Sequence, residues 1–335
     1  MPESRQTYAM HANEAARTII GLLLVLALSS IIPAWAGEVM KDAGVVHVRN
    51  ESTPRDGLET LPLEEQWRTG ADENDPLMGV IWQILQDDQG RLYLLDRQLN
   101  QVHIFSAQGD HLGTLGREGE GPGEFRHATD MILLPDRRLG VVQAMPGKIV
   151  LLDFDGSPAG TIVPGAGSAH EGFNLLQEAL RCGEHLAVVG RQMQRTESGF
   201  QRLQYLARLD MDGREIVRLI TKRNPDRLAE GVYVERDEYF VGRGRWTMDP
   251  DGRIYAAESR DEYAISVYSP DGELERVIQR EFTPRRRSPE EKARVGEGMV
   301  VVVNGERVQM EVEAEDHPPC ISAMHVTDDG ELWVL

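Results

Sequence analysis

Only two cysteines occur in 335 residues, Cys182 and Cys320. Two so far apart make no disulfide framework, and no CxxC or Cys/His cluster has the spacing of structural zinc. Two buried free thiols are the expected state. Aromatic residues supply 6% of the chain, although 41% hydrophobic content still allows a sizeable core. Basic residues are also in short supply. Thirty-six Lys and Arg against 55 Asp and Glu leave a net charge of −19, which repels nucleic-acid backbones and anionic membrane surfaces. Cationic ligands, metal ions or basic protein surfaces suit it better, while acidity also serves solubility by itself. Helical periodicity is nearly absent. The best candidate is "SPEEKARV" (Ser288–Val295), with Ser288 as N-cap and Pro289 in the first helical position. There is no G-x-S-x-G elbow either.

The longest apolar run, "IIGLLLVLALSSII" (Ile19–Ile32), falls short of the roughly 20 residues that a membrane span needs. Arg17 precedes it, and Pro33 and Ala34-Trp35-Ala36 follow. That order is the charged, apolar, small-residue order of a secretory signal peptide, with cleavage expected before Gly37. No cysteine at that site offers a lipid anchor. Residues 1–36 therefore read as a leader, and the mature protein as exported, periplasmic or secreted, with no membrane insertion after cleavage.

What remains repeats one plan: short apolar strands separated by Asp/Gly turns. The copies are "IWQILQDDQGRLYLLDRQLNQVHIFSAQGDHLGTLG" (Ile81–Gly116), "DMILLPDRRLGVVQAMPGKIVLLDFDGSPAGTIV" (Asp130–Val163) and "WTMDPDGRIYAAESRDEYAISVYSPDGELERVI" (Trp246–Ile278). A looser copy lies between the last two, with a polar insertion around Arg195 to Gln201. Turn glycines recur about 20 residues apart within a copy, and Gly109 and Gly156 are about 47 apart. A unit slightly longer than 40 residues, built of period-two strands, is a propeller blade rather than part of a sandwich.

"GREGEGPGEF" (Gly116–Phe125) could pass for a phosphate loop, but it has no Gly-Lys-Ser/Thr ending and leads into a strand rather than a helix. Its three glutamates would repel a phosphate. It lies where one blade's outer strand crosses to the next blade's inner strand, with Phe125 as an apolar plug between the two.

The stretch from strand to Gly-Pro-Gly-Glu-Phe linker, "GRLYLLDRQLNQVHIFSAQGDHLGTLGREGEGPGEF", resembles the six-bladed β-propellers of the NHL-repeat type, in particular exported bacterial members. The resemblance runs from about Val45 to the C-terminus. It implies an all-β, six-bladed β-propeller and leaves activity open, because this fold carries enzymes, ligand binders and docking modules alike. The chain departs from the usual spacing in that Asn100 lies four residues after Asp96 and Gln101 replaces the common arginine. The Asp–Arg contact of typical repeats is thus not carried over to Asp96.

"ISAMHVTDDGELWVL" (Ile321–Leu335) repeats the start of a blade, giving four blades and the beginning of a fifth. The reading is of a propeller truncated at the C-terminus by roughly one and a half blades, on the order of 60 residues at the family's repeat length. Residues 37–60 form an N-terminal extension with a ring-closing strand at Val45–Asn50, and Leu61–Gly70 is a second piece of that kind. Residues 61–335 form the incomplete propeller, with an insertion at 283–319. The insertion carries three consecutive arginines, Arg285 to Arg287, which fit either an anionic partner or a solvated loop. It also carries Asn304-Gly305 between apolar alternations, a hairpin signal.

Propeller ligands usually bind at one end of the central channel. Aligning the inner strands on their Asp/Gly turns puts Gln83, Asp130, Arg245 and Ala323 in one column. Ile84, Met131, Trp246 and Met324 form the next, read as packing between blades. Leu85, Ile132, Thr247 and His325 form the third, read with the first as facing the channel. Gln83, Asp130, Arg245 and His325 are the candidate binding residues, Asp130 as ligand or general base and Arg245 as an anion clamp. Equally, they satisfy one another or buried water. Asp87, Asp88, Asp136, Asp251, Asp328 and Asp329 are explained as turn formers.

The leading reading is a binding or scaffold module for a protein, a peptide or an envelope component, or for a small polar ligand at the channel. The alternative is a hydrolase or lyase whose calcium or zinc sits around Asp130 and His325. A carbohydrate binder would need exposed aromatic platforms, and Trp82 and Trp246 read as core.

Overall fold

The computed structural model describes residues 38–54, 56–70, 75–165, 172–196, 199–225, 227, 231–297, 299–303 and 306–335. The leader read at 1–36 lies outside them, as do Asn304 and Gly305. Two strands, β1 (Glu38–Asp42) and β2 (Val45–Asn50), open the fold as a hairpin. Four antiparallel sheets then repeat in chain order. The first holds β3 (Ile81–Gln86), β4 (Leu92–Asp96), β5 (Gln101–Phe105) and β6 (His111–Leu115). The second holds β7 (Ala128–Leu133), β8 (Arg138–Gln143), β9 (Lys148–Asp153) and β10 (Pro158–Ile162), and the third β11 (Gly172–Cys182), β12 (His185–Thr196), β13 (Gly199–Asp210) and β14 (Glu215–Pro225).

A short strand, β15 (Val232–Val234), and one helical turn, α1 (Glu235–Glu238), lead into the fourth sheet. That sheet holds β16 (Trp246–Met248), β17 (Ile254–Ala256), β18 (Ala264–Tyr268) and β19 (Leu274–Arg280). The insertion follows with α2 (Pro289–Arg294), β20 (Val300–Val303), β21 (Glu306–Gln309) and β22 (Glu311–Glu313). A last hairpin pairs β23 (Met324–Val326) with β24 (Leu332–Val334).

Side-chain acceptors set the turns. The Asp87 carboxylate takes the amides of Gln89 and Arg91, both at 2.9 Å. Asp210 does the same for Asp212 and Arg214, and Ser106 for Gln108 and Asp110. In the fourth and fifth copies the acceptors are Asp249 and Thr327, two positions ahead of the expected Asp251 and one ahead of the expected Asp328. Each places its third follower at positive φ, for example Gly90 at +77°, where glycine has no Cβ to clash.

The second, third and fourth blades pack on both faces. Met131 joins a core with Tyr93, Leu95 and Val102 of the first blade, whereas Ile132 joins Leu176, Ala179 and Leu186 of the third. Likewise Val188 faces back and Val189 forward. Strand alternation therefore divides side chains between the two neighbouring blades, and the inner strand turns its edge to the channel. This corrects the expected channel-facing third column at Leu85 and Ile132, which pack in inter-blade cores. Ile84 is also corrected: it is 58% exposed, while Met131, Trp246 and Met324 of the same column are buried.

The linker acts as expected. Phe125 is fully buried between the first two blades, its ring against Gly116, where any Cβ would collide. Burying such a side chain contributes about 1.5–3 kcal/mol. Glu124 holds the bend by accepting from the Gly121 amide at 2.9 Å and from Arg117 Nε at 2.7 Å. Asp96, lacking an arginine, is satisfied by the amides of Gly79, Gln98 and Leu99. Burial works to raise its pKa, but those amides hold it below the ordinary value.

Val45–Asn50 pairs elsewhere than a ring-closing strand on the last blade. β2 runs parallel to β19, from Val46 opposite Arg276 to Asn50 opposite Arg280, and with β1 widens the fourth blade to six strands. Leu61–Gly70 forms no strand, although Trp67 stacks on Phe105 at 5.6 Å. Both thiols are free, Cys320 buried and Cys182 half-buried.

Candidate functional site

The inner-strand edges border a cavity of about 900 Å³. Around it, polar side chains reach from each inner strand to the next. Gln83 Nε2 donates to the Met131 carbonyl at 3.1 Å, and its Oε1 accepts from the Met131 amide at 2.6 Å. Asp130 accepts from the Ala179 amide at 2.8 Å. Glu178 accepts from Trp246 Nε1 at 2.6 Å and from the Arg243 amide. Thr247 Oγ1 accepts from the Val326 amide at 3.3 Å. Four clasps thus tie five inner strands.

Gln83, Asp130 and His325 line this cavity. Burial pushes the Asp130 carboxyl up to about 8; the nearby Glu178 charge adds to the push, and the Ala179 and Met131 amides oppose it. Arg245 lies elsewhere, on a second cavity of about 520 Å³. Its Nε donates to the Phe240 carbonyl at 3.1 Å, and its guanidinium lies 4.9 Å from the Tyr239 ring centre. Gln177, Arg191 and Arg243 line both cavities and join them.

Trp82 is not core. It is 54% exposed at the first cavity, donates to the Thr129 carbonyl at 2.8 Å, and carries the Arg97 guanidinium 4.3 Å above its ring. Trp246 is buried as expected. A metal around Asp130 and His325 does not fit the donors. Asp130 spends its oxygens on backbone amides, and among the described residues no three His, Cys, Asp or Glu side chains are placed to hold an ion.

The insertion roofs the second cavity. β22 pairs in parallel with β15, and Met299, Val300 and Met310 line the space beneath. All three arginines are paired, although Arg285 and Arg286 stay exposed and only Arg287 is largely buried. Arg285 pairs with Glu291, Arg286 with Asp316, and Arg287 with the nearly buried Glu235 at 2.6 Å. Glu235 also takes Arg260 at 2.8 Å and the Glu315 amide at 2.9 Å, which fastens the insertion to the blades. Ser288 caps α2 in a full capping box. β20 and β21 form the expected hairpin, flanking a turn outside the described residues.

Residues 72–163, spanning the first two blades, match a family model described as a six-bladed beta-propeller. With the repeated four-stranded sheets, that decides the architecture. The protein is a β-propeller. Among solved structures, the propeller is similar to a protein of Bacteroides fragilis at 12% identity, over 70% of this chain and 60% of that one, with a TM-score of 0.42. It is similar to virginiamycin B lyase from Staphylococcus aureus at 10% identity, over 76% of each chain, with a TM-score of 0.36. It is also similar to a calcium-binding protein, regucalcin, from Agrobacterium tumefaciens at 13% identity, over 60% of this chain and 75% of that one, with a TM-score of 0.28. The propeller thus spans about 60% of the length of the Bacteroides fragilis protein. No curated protein matches it. Among the described residues no helix is long and apolar enough to cross a membrane.

Glu178, Arg191, Gln204 and Arg243 were not singled out by sequence. The first three belong to the loose copy, whose inner strand ends in Cys182-Gly183 rather than an Asp/Gly turn and carries a bulge between Leu176 and Glu178. The aligned column had a gap there, and Glu178 fills it.

Proposed function

We propose that this propeller is an exported binding module that receives an anionic segment of a protein or peptide at the channel mouth, without turning it over. The observation that carries this reading is the division of charge around the cavity. The carboxylates Asp130 and Glu178 are committed to the neighbouring strand's amides and indole. The guanidinium groups of Arg97, Arg191 and Arg243 border the space with no carboxylate partner among the described residues. Guanidiniums bind anions well and serve poorly as acids or bases near neutral pH. The acidic remainder of the molecule slows a polyanion's approach, so recognition favours a few carboxylates held locally over a long acidic tract.

Fluorescence anisotropy with labelled ten-residue peptides of mixed sequence, sorted by charge, tests it. Peptides with one or two carboxylates should bind, more weakly as salt rises. Arg97→Glu with Arg243→Glu should cost at least about tenfold, or roughly 1.4 kcal/mol. A preference for basic peptides, or indifference to the double charge reversal, would sink the reading.

A further inference from the structure

The second cavity holds an imbalance that the fold itself does not resolve. Two acids line it, and both are already paired: Glu235 with Arg260 and Arg287, and Glu238 with Arg202 through both guanidinium nitrogens. Arg191, Arg243 and Arg245 line it with guanidinium groups that have no carboxylate partner among the described residues. Beside them Gln204 is 1% exposed, and both polar atoms of its side chain lack a hydrogen-bond partner. Arg191 Nε lacks one as well. Arg191 and Gln204 are register partners on β12 and β13, so their side chains leave the same sheet face about 5 Å apart. A buried donor and acceptor left open together are rare unless something outside the chain completes them.

We infer that this cavity binds the C-terminal residue of a peptide, its carboxylate on Arg191 and Arg245 and its last amide against Gln204. The site deepens the binding reading above and rests on it. Guanidinium forks match the two oxygens of a carboxylate. Gln204 then discriminates among anions: sulfate offers only acceptors and leaves its carbonyl oxygen unmet, hydrogen phosphate brings a hydroxyl donor but no side chain to fill the rest of the space, whereas an amide beside a carboxylate supplies both a donor and an acceptor. The thioethers of Met299 and Met310 give the terminal side chain an apolar, adaptable wall. A volume of about 520 Å³ lies within the range of ligand pockets. Gln177, Arg191 and Arg243 open onto the larger cavity, so the rest of the peptide leaves along the channel mouth. Burial lowers the pKa of Arg191 and of Arg245, with the neighbouring Arg243 charge acting the same way. An entering carboxylate relieves both.

The test is calorimetric titration of the full chain with N-acetyl-alanyl-alanyl-leucine as its free acid, as its C-terminal amide, and in competition with acetate and with inorganic phosphate. The free acid should bind at least tenfold more tightly than the amide, and neither small anion should displace it at equal concentration. Gln204→Leu should melt at or above the native temperature yet bind at least tenfold more weakly, which separates recognition from folding. Arg191→Gln should lose the preference for acid over amide. Equal binding of acid and amide, or displacement by phosphate, overturns the inference. If acid and amide bind alike while internal anionic peptides with amidated ends still bind, the channel reading stands and terminal recognition alone falls. If no peptide binds in either form, both fall.

Discussion

Asp130 carries opposite demands in one side chain. It is the acceptor that ties the second inner strand to the third, and it is buried where a charge is poorly solvated. Folding raises its pKa from 3.8 to about 8, burial first and Glu178 second among the raising causes. A carboxyl shifted upward adds stability in full below its unfolded pKa, and the contribution fades as pH rises toward the folded one. Asp130→Asn keeps an acceptor for the Ala179 amide and removes the titration. The difference in melting temperature between variant and native protein should therefore move in the variant's favour from pH 5 to pH 8. A difference that stays constant across that range would show that Asp130 carries no such proton. His103, also buried, is displaced the other way: burial lowers its pKa, and the Asp96 charge only partly opposes this.

Among the elements, the turns speak most directly from sequence. Asp or Ser followed three positions on by glycine marks the ends of strands in the first and fourth blades, and those strands lie where the pattern puts them. The turn from Leu134 to Arg138 departs, because Arg137 takes the glycine position at φ +62°. Arg137→Gly should stabilise the protein by about 1 kcal/mol, read as a rise in the denaturant midpoint at unchanged slope. The third blade was hardest to read for the converse reason. Its strands run 11 or 12 residues, and polar residues such as Arg191, Gln192 and Gln204 sit inside them where the usual alternation would place apolar ones. Arg191 and Gln204 belong to the wall of the second cavity, whereas Gln192 does not line it. The linker around Phe125 was legible because glycines and one aromatic perform a local task. The Glu235 clasp was not, because it joins residues 52 positions apart through charge alone.

At the scale of the molecule, the first strands and the fourth blade depend on each other. β2 covers the edge of β19, and Arg280 reaches the Ser52 carbonyl at 2.8 Å across 228 positions of sequence. An uncovered edge strand offers unpaired amides and carbonyls to any other chain. Removing residues 38–50 should lower hydrogen-exchange protection in β19 at least about tenfold and shift the protein toward dimers and larger species in size-exclusion chromatography. Unchanged protection and an unchanged elution volume would mean that the parallel pairing adds nothing. The net charge of −19 is likewise uneven across the molecule. The arginines at the two joined cavities form a cationic island in an acidic shell, which favours small anionic groups over extended polyanions.

The clasps around the channel all run in one direction. Gln83 waits for Met131, Asp130 for Ala179, Glu178 for Trp246 and Thr247 for Val326. In each case the reaching side chain is made before its partner. A blade leaving the ribosome therefore presents an open polar group to a neighbour not yet synthesised, and the next blade's arrival closes it. The order in which these groups become satisfiable is the order of translation, so the series of blades has a direction of growth that its repeated architecture conceals.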